Sequence, residues 1–293
     1  MISKLRQQQV TRCAEDVVCD PDYGFSSFPV DPLIIAKKKE ILLNPFKPTK
    51  PGILGVLMKQ GDQFGIGYST AIENDGLIHF TVAHELGHYF LPGHVDALFK
   101  NGNQCHMSKS GFVSDDPVER EADLFAATLL MPQGLFLPAL RRAGSGFSAI
   151  EKMATLCRTS ITATAIRFAE FSEDPCIVVV SSGSEINFCC FSRAIRELRN
   201  VSWPKAGDSL PISAATSRFN QLKENVERGM RRESTSTLSD WVEGAPGLEL
   251  NEDVIGLGQY GKTLTVLFAN EALDDDDEQD EDRDDGYRPS WER

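Results

Sequence analysis

Two histidines four residues apart with a glutamate beside the first, His84-Glu85-Leu86-Gly87-His88, are the residues of this chain best suited to chemistry. On an α-helix, positions i and i+4 share a face, so both imidazoles can reach one ion. Glu85 is placed to take a proton from a water molecule, and the set suits zinc-dependent hydrolysis. An ordinary helix with two unrelated histidines would show the same letters. Against that reading, all five histidines of the chain, His79, His84, His88, His94 and His106, fall in one window of about thirty residues.

A catalytic zinc site takes three protein ligands and leaves one position open. A second helix can supply the third. Asp116 is a good N-cap, Pro117 suits the first helical position, and Pro132 ends the segment. Val118, Ala122, Phe125 and Leu129 form its apolar stripe. Glu119 borders that stripe and is the first candidate, although it also fits the N3 slot of a capping box with Asp116. Asp123, four residues on, could accept a hydrogen bond from a ligand imidazole and orient it. Glu121 lies farther round and is the weaker candidate by geometry. His94 is the other candidate, ten residues after His84 as in the three-histidine zincins. Leu91 stands where those enzymes have a glycine, and Pro92-Gly93 comes two residues late.

The histidine helix reads as buried, because Phe80, Val82, Ala83, Leu86, Tyr89, Phe90 and Leu91 surround the motif. A turn at Asp75-Gly76 should precede it and Pro92-Gly93 should end it. Upstream, residues 2–18 read as a polar-faced helix, 25–31 as a loop and 32–40 as a helix. Residues 53–57 and 64–68 read as short strands around the Gly61-Asp62 turn. Residues 101–115, rich in Gly, Ser, Asn and Asp, read as a loop.

The segment Phe80-Thr81-Val82-Ala83-His84-Glu85-Leu86-Gly87-His88, followed by Glu119-x-x-Ala122-Asp123-x-Phe125-Ala126-Ala127-x-Leu129-Leu130-Met131-Pro132, resembles the ImmA/IrrE family of metallo-endopeptidases. Val30-Asp31-Pro32 and Gly52-x-x-Gly55 fit that family's lead-in, and the likeness runs over residues 28–135. It implies a compact zincin-like domain with His84, His88 and Glu119 as metal ligands. It also implies a cytoplasmic enzyme that cuts a helix-turn-helix repressor, as in mobile-element induction or the radiation response. Many members carry a DNA-binding domain before the peptidase, and this sequence has no room for one there.

After Pro132, residues 134–142, 148–157 and 159–168 read as helices. The last two, joined at Arg158-Thr159-Ser160, resemble a helix-turn-helix. Arg141, Arg142, Lys152, Arg158 and Arg167 are offset by Glu151, Glu170 and Glu173, so packing on the peptidase domain is expected rather than DNA contact. Residues 176–181 and 185–191 read as one hairpin, and 248–255 and 262–268 as a second. In the longer radiation-response members the matching region is a sensor-like GAF fold. The expected fold class is α+β, in five parts. An N-terminal helix (1–27) leads to a zincin-like metallopeptidase domain (28–135) and a helical HTH-like segment (136–172). A small α+β domain (173–273), GAF-like by resemblance, precedes a disordered acidic tail (274–293).

Charge and cysteines narrow the setting. Residues 274–285 hold ten acids and one arginine, contributing −9 of the formal −13, so the rest of the chain carries −4. That leaves no general basic field for nucleic acid. Seven cysteines, odd in number and without C-x-x-C spacing, do not form a disulfide framework. There is no signal-peptide pattern and no apolar run near the ~18 residues of a membrane span. A reduced, cytoplasmic location without membrane contact is expected. The expected cofactor is zinc, with manganese as the alternative for a His-His-Glu set. Glu85 would be the general base, and Tyr68 and His106 are candidate donors to the oxyanion. Two rival readings are a metal-holding module that docks to a transcription regulator without cutting it, and a DNA-binding regulator, which the acidic balance opposes.

Overall fold

The computed structural model describes residues 2–47, 52–72, 74–109 and 116–269. The acidic segment expected to be a disordered tail, residues 274–293, lies outside them. The chain forms two compact units: one takes in the residues up to Gly144 together with Glu151–Ala163, the other Ser145–Ile150 and the chain from Thr164.

In the first unit, α1 (Lys4–Cys19) is capped by Ser3, whose side chain accepts from Arg6 N. It buries Val10, Ala14, Val17 and Val18, one face at helical spacing. Helix α2 (Pro32–Lys38) starts at the expected cap, with Asp31 accepting from Leu33 N at 2.9 Å, and stops short of the expected end. Glu40 takes φ 57° just beyond it, a conformation no helix can continue through.

Four strands, β1 (Leu42–Phe46), β2 (Ile53–Gln60), β3 (Gln63–Ser69) and β4 (Cys105–Lys109), make a sheet of order β1-β3-β2-β4. β1 runs parallel to β3, and the other pairs are antiparallel. The β2–β3 hairpin turns at Gly61, φ 61°, as expected. β4 corrects the sequence reading, in which this stretch is a loop, and β1 has no counterpart in that reading. Both are edge strands: β1 contains Pro45, and Cys105-His106-Met107-Ser108-Lys109 has only two apolar residues, neither of them β-branched or aromatic. Pairing with a neighbour, not intrinsic pattern, makes them strands. Residues 110–115 of the expected loop lie outside the described residues.

Helix α3 (Asp75–Phe90) carries the motif. Asn74 caps it, accepting from Leu77 N at 3.0 Å, so Asp75 and Gly76 form the first turn rather than a separate turn before it. Gly93, φ 87°, follows it and begins α4 (His94–Leu98). α5 (Pro117–Leu130) starts at Asp116, which accepts from Val118 N at 2.9 Å, and α6 (Gln133–Ala143) follows. α3 packs on β2 and β3 as well as on α5, and α1 also lies against α5. Leu57, Ile66, Val82, Leu86, Phe125 and Leu129 are all fully buried in the shared core. A helix covered on opposite sides must be apolar nearly all round, which is why the motif's flanks are.

Helices α7 (Gly146–Cys157) and α8 (Ile161–Phe171) lie where helices were expected, separated by Arg158 at φ 55°, and each contributes residues to both units. The second unit has β5 (Cys176–Ser182) and β6 (Glu185–Phe191), then the short α9 (Arg193–Arg196), α10 (Ala215–Asn220) and α11 (Lys223–Glu227). β7 (Arg231–Thr237), α12 (Leu238–Trp241), β8 (Glu249–Gly256) and β9 (Thr263–Phe268) complete it. The sheet is antiparallel with order β6-β5-β9-β8-β7. Both expected hairpin strand pairs are present, β5 with β6 and β8 with β9. β7 escapes a reading of the sequence because Arg231-Arg232-Glu233-Ser234-Thr235-Ser236-Thr237 is polar throughout and sits at an exposed edge. Glu252, fully buried on β8, accepts from Ala215 N, Thr216 N and Thr216 Oγ1 and so caps α10. The fold is mixed α+β, as expected. Among the described residues no single helix is long and apolar enough to cross a membrane.

Candidate metal centre

Gly87 sets the distance between α3 and α5. A Cβ there would lie 3.1 Å from Ala122 Cα and 3.2 Å from Ala122 O, so only glycine lets the helices approach this closely. Phe90 stacks on Phe125 at 6.0 Å between centroids and holds the same contact one turn on. This approach carries Glu119 from the start of α5 to the two histidines of α3. Asp116 caps through Val118 N, and the Glu119 carboxylate is turned to the imidazoles.

His84 Nε2 and His88 Nε2 face each other at 3.1 Å. Glu119 Oε2 lies 3.4 Å from His84 Nε2, and Oε1 lies 3.3 Å from His88 Nε2. Ligand atoms of these three residues all lie within 4.8 Å of one another, close enough to hold one metal ion. Donors bound to a small divalent ion at about 2.0–2.1 Å in a tetrahedron are about 3.3 Å apart, close to these separations.

Each of the three has its outward side held. Asp123 Oδ1 accepts from His84 Nδ1 at 2.8 Å. His106 Nε2 donates to Glu119 Oε1 at 2.8 Å, from β4. His94 Nδ1 meets His88 Nδ1 at 3.0 Å. Glu121, buried beside the site, accepts from His94 Nε2 at 2.9 Å and from Arg6. Of the ligand candidates named from the sequence, His94 and Glu121 therefore stand behind His88 and not among the converging atoms. Tyr68 packs against the apolar core of the unit, while His106 is brought to the cluster.

Electrostatics divide the imidazoles. Burial pulls His84 down, but hydrogen bonds to Asp123 and Glu119 outweigh it and raise its pKa to about 10. Burial leads for His88 and lowers its pKa to about 4. Burial raises Glu119, yet hydrogen bonds from His106 and His84 hold its carboxyl far below the usual range.

Glu85 is fully buried, and among the described residues neither carboxylate oxygen has a hydrogen-bond partner. Burial pushes its pKa up to about 7, with His84 and Ser108 pulling the other way. Ser108 Oγ is close enough to favour the ionised form but lies outside hydrogen-bonding geometry. An unpartnered buried carboxylate costs roughly several kcal/mol and is seldom kept without a use. It is kept at this point by Gly55 on β2, where any side chain would run into Glu85 Oε1.

Residues 77–169 match the family model Peptidase_M78, the IrrE N-terminal-like domain. No curated protein matches the chain. Among solved structures, a Mycobacterium tuberculosis transcriptional regulator is similar at 13% identity with a TM-score of 0.56. The likeness covers 89% of this chain and 76% of that one, and at such identity it concerns the fold.

Proposed function

We infer that this chain, which belongs by its residues 77–169 to the IrrE N-terminal-like peptidases, is a metal-dependent endopeptidase. His84, His88 and Glu119 would hold the ion and Glu85 would act as general base. One observation carries the reading: three ligand atoms converge beside a buried carboxylate that has no partner among the described residues.

A bound zinc or manganese ion would polarise the scissile carbonyl and make a water molecule acidic enough to attack near neutral pH. The chain's residues do the rest. Glu85 takes the proton of the attacking water, and its site within apolar walls raises its basicity toward the range a general base needs. Asp123 keeps the His84 ring oriented through Nδ1, and His106 fixes the Glu119 carboxylate.

The substrate is proposed to be a helix-turn-helix repressor, so that cleavage would induce a stress or mobile-element response. This rests on the family resemblance, and the similarity in fold to a transcriptional regulator is compatible with it. The five-stranded antiparallel sheet of the second unit is likewise compatible with a GAF-like sensor. A cytoplasmic site of action accords with none of the seven cysteines being in a disulfide. The test is to mix purified protein, zinc or manganese and a repressor encoded beside its gene, with wild type and Glu85→Gln in parallel. Cleavage at one or a few bonds by wild type, stopped by a chelator and absent in Glu85→Gln, supports the reading. Equal cleavage by both rejects Glu85 as the base. Binding without cleavage favours a docking module instead.

A further inference from the structure

We propose that His94 is a positioning residue for this centre: with Glu121 and Arg6 it locks His88 in the tautomer whose Nε2 lone pair faces the ion. The proposal rests on the metal-centre reading above and adds to it three residues from three elements, α1, α4 and α5.

Counting protons fixes the direction of every bond. A neutral imidazole carries one N–H. His88 Nε2 points at His84 Nε2 and at Glu119, so a ligand role puts its hydrogen on Nδ1. Nδ1 meets His94 Nδ1 at 3.0 Å, and one proton must lie between them. His94 Nδ1 therefore accepts, and the His94 hydrogen sits on Nε2. That nitrogen lies 2.9 Å from Glu121 Oε2, which as a carboxylate can only accept. Arg6 donates to the same oxygen from Nε at 2.9 Å and Nη2 at 2.7 Å, holding Glu121 in place as an anion. Each of these donors has an acceptor.

The reverse arrangement fails at one end. If His94 Nδ1 donated to His88, the His94 Nε2 lone pair would face the Glu121 carboxylate at 2.9 Å, and the His88 hydrogen would sit where the ion must bind. Glu121 thus sets the direction of the whole chain. His88 is 0% and His94 2% exposed, so water cannot supply a substitute partner. Arg6 Nη2 also donates to Pro92 O at 3.2 Å, which pins the turn that delivers α4 and His94. If His94 only filled space, an apolar side chain of similar size would replace it.

Full-length wild type, His94→Leu, His94→Gln and Arg6→Ala, with Glu119→Ala as a control that lacks a ligand, test the proposal. Zinc affinity is measured by competition with a chromophoric chelator, and the visible spectrum of the cobalt(II) form reports ligand geometry. Circular dichroism of the metal-free proteins checks folding. Gln can accept through its amide oxygen and donate through its nitrogen, matching His94, whereas Leu fills the space without either. His94→Leu is expected to bind zinc about 10–100-fold more weakly with altered cobalt bands. His94→Gln should recover affinity and spectrum, and Arg6→Ala should show a smaller loss. Wild-type affinity in His94→Leu, or equal losses in the Leu and Gln variants, overturns the proposal. Should His94→Leu not fold, Arg6→Ala decides: weaker binding in a folded protein supports the proposal, and unchanged binding sinks it. If wild type binds no better than Glu119→Ala, the metal-centre reading falls and this inference falls with it.

Discussion

Gly55 and Glu85 occupy adjoining space between strand β2 and helix α3, and there is no room for a Cβ between them. Gly55 pairs with Ser108 on β4 and Tyr68 on β3, so the strand is fixed on both sides and cannot withdraw. The carboxylate that would act as base is therefore located by a glycine about thirty residues away on a different element.

Gly55→Ala should accordingly displace the Glu85 carboxylate while leaving the ligands in place. The terminal atoms of a flexible side chain can move, so the stability loss should stay within about 1–3 kcal/mol. Cleavage should fall about 10²-fold, since a misplacement of ~1 Å costs that much at a reacting centre. A thermal melt and a metal titration alongside the cleavage rate separate the two effects. Full activity in Gly55→Ala would show that Glu85 is not positioned by this contact.

Gly87→Ala tests the other close approach. Alanine gains about 1 kcal/mol in helix propensity over glycine. Against that, its Cβ would press on the α5 backbone at Ala122, on the helix that carries Glu119. Metal affinity is expected to drop more than thermal stability does. A variant that keeps both would mean that α3 and α5 can separate without disturbing the ligand set.

Removing a ligand should differ in kind from removing its support. Glu119→Ala is expected to lose the metal altogether by elemental analysis after dialysis. His106→Ala and Asp123→Ala, which remove hydrogen bonds to Glu119 and His84, should keep it with about 10–100-fold weaker affinity. Retention of metal in Glu119→Ala with loss in His106→Ala would reassign the third ligand to His106.

Metal binding should strengthen with pH. The ion must displace the proton that His84 holds with a pKa of about 10 in the metal-free protein. From pH 6 to 8 that single displacement predicts about a 10-fold rise in apparent zinc affinity per pH unit. The metal-free protein should behave oppositely. A raised histidine pKa contributes stability that is present below the unfolded value of 6.5 and is lost as pH climbs toward about 10. The lowered Glu119 contributes stability above 4.5 and loses it as pH falls further. These two groups together thus support the metal-free fold best at about pH 4.5–6.5, where the effects of the raised Glu85 and the lowered His88 run in opposite directions with pH. A zinc affinity that is flat from pH 6 to 8 would mean His84 is already neutral there.

What the sequence determined about this protein is local. The i, i+4 repeat makes His84 and His88 share a face whatever else the chain does, Asn74 and Asp116 start helices through bonds to atoms two or three residues away, and Pro117 suits a first helical position that needs no N–H. Apolar residues specify β5, β6 and β9 for the same reason: a buried strand of this kind shows its burial in its own residues. The tertiary structure decided everything that depends on two segments meeting. β4 and β7 are strands because a neighbour offers them a hydrogen-bonding edge, which their polar residues do not announce. Glu119 and Glu121 are two residues apart on one helix. Only the line of approach of α3 turns the first toward the imidazoles and leaves the second for His94 and Arg6. Gly55 and Gly87 matter by what they leave out, and no pattern within their own segments records which side chain or backbone will fill that space.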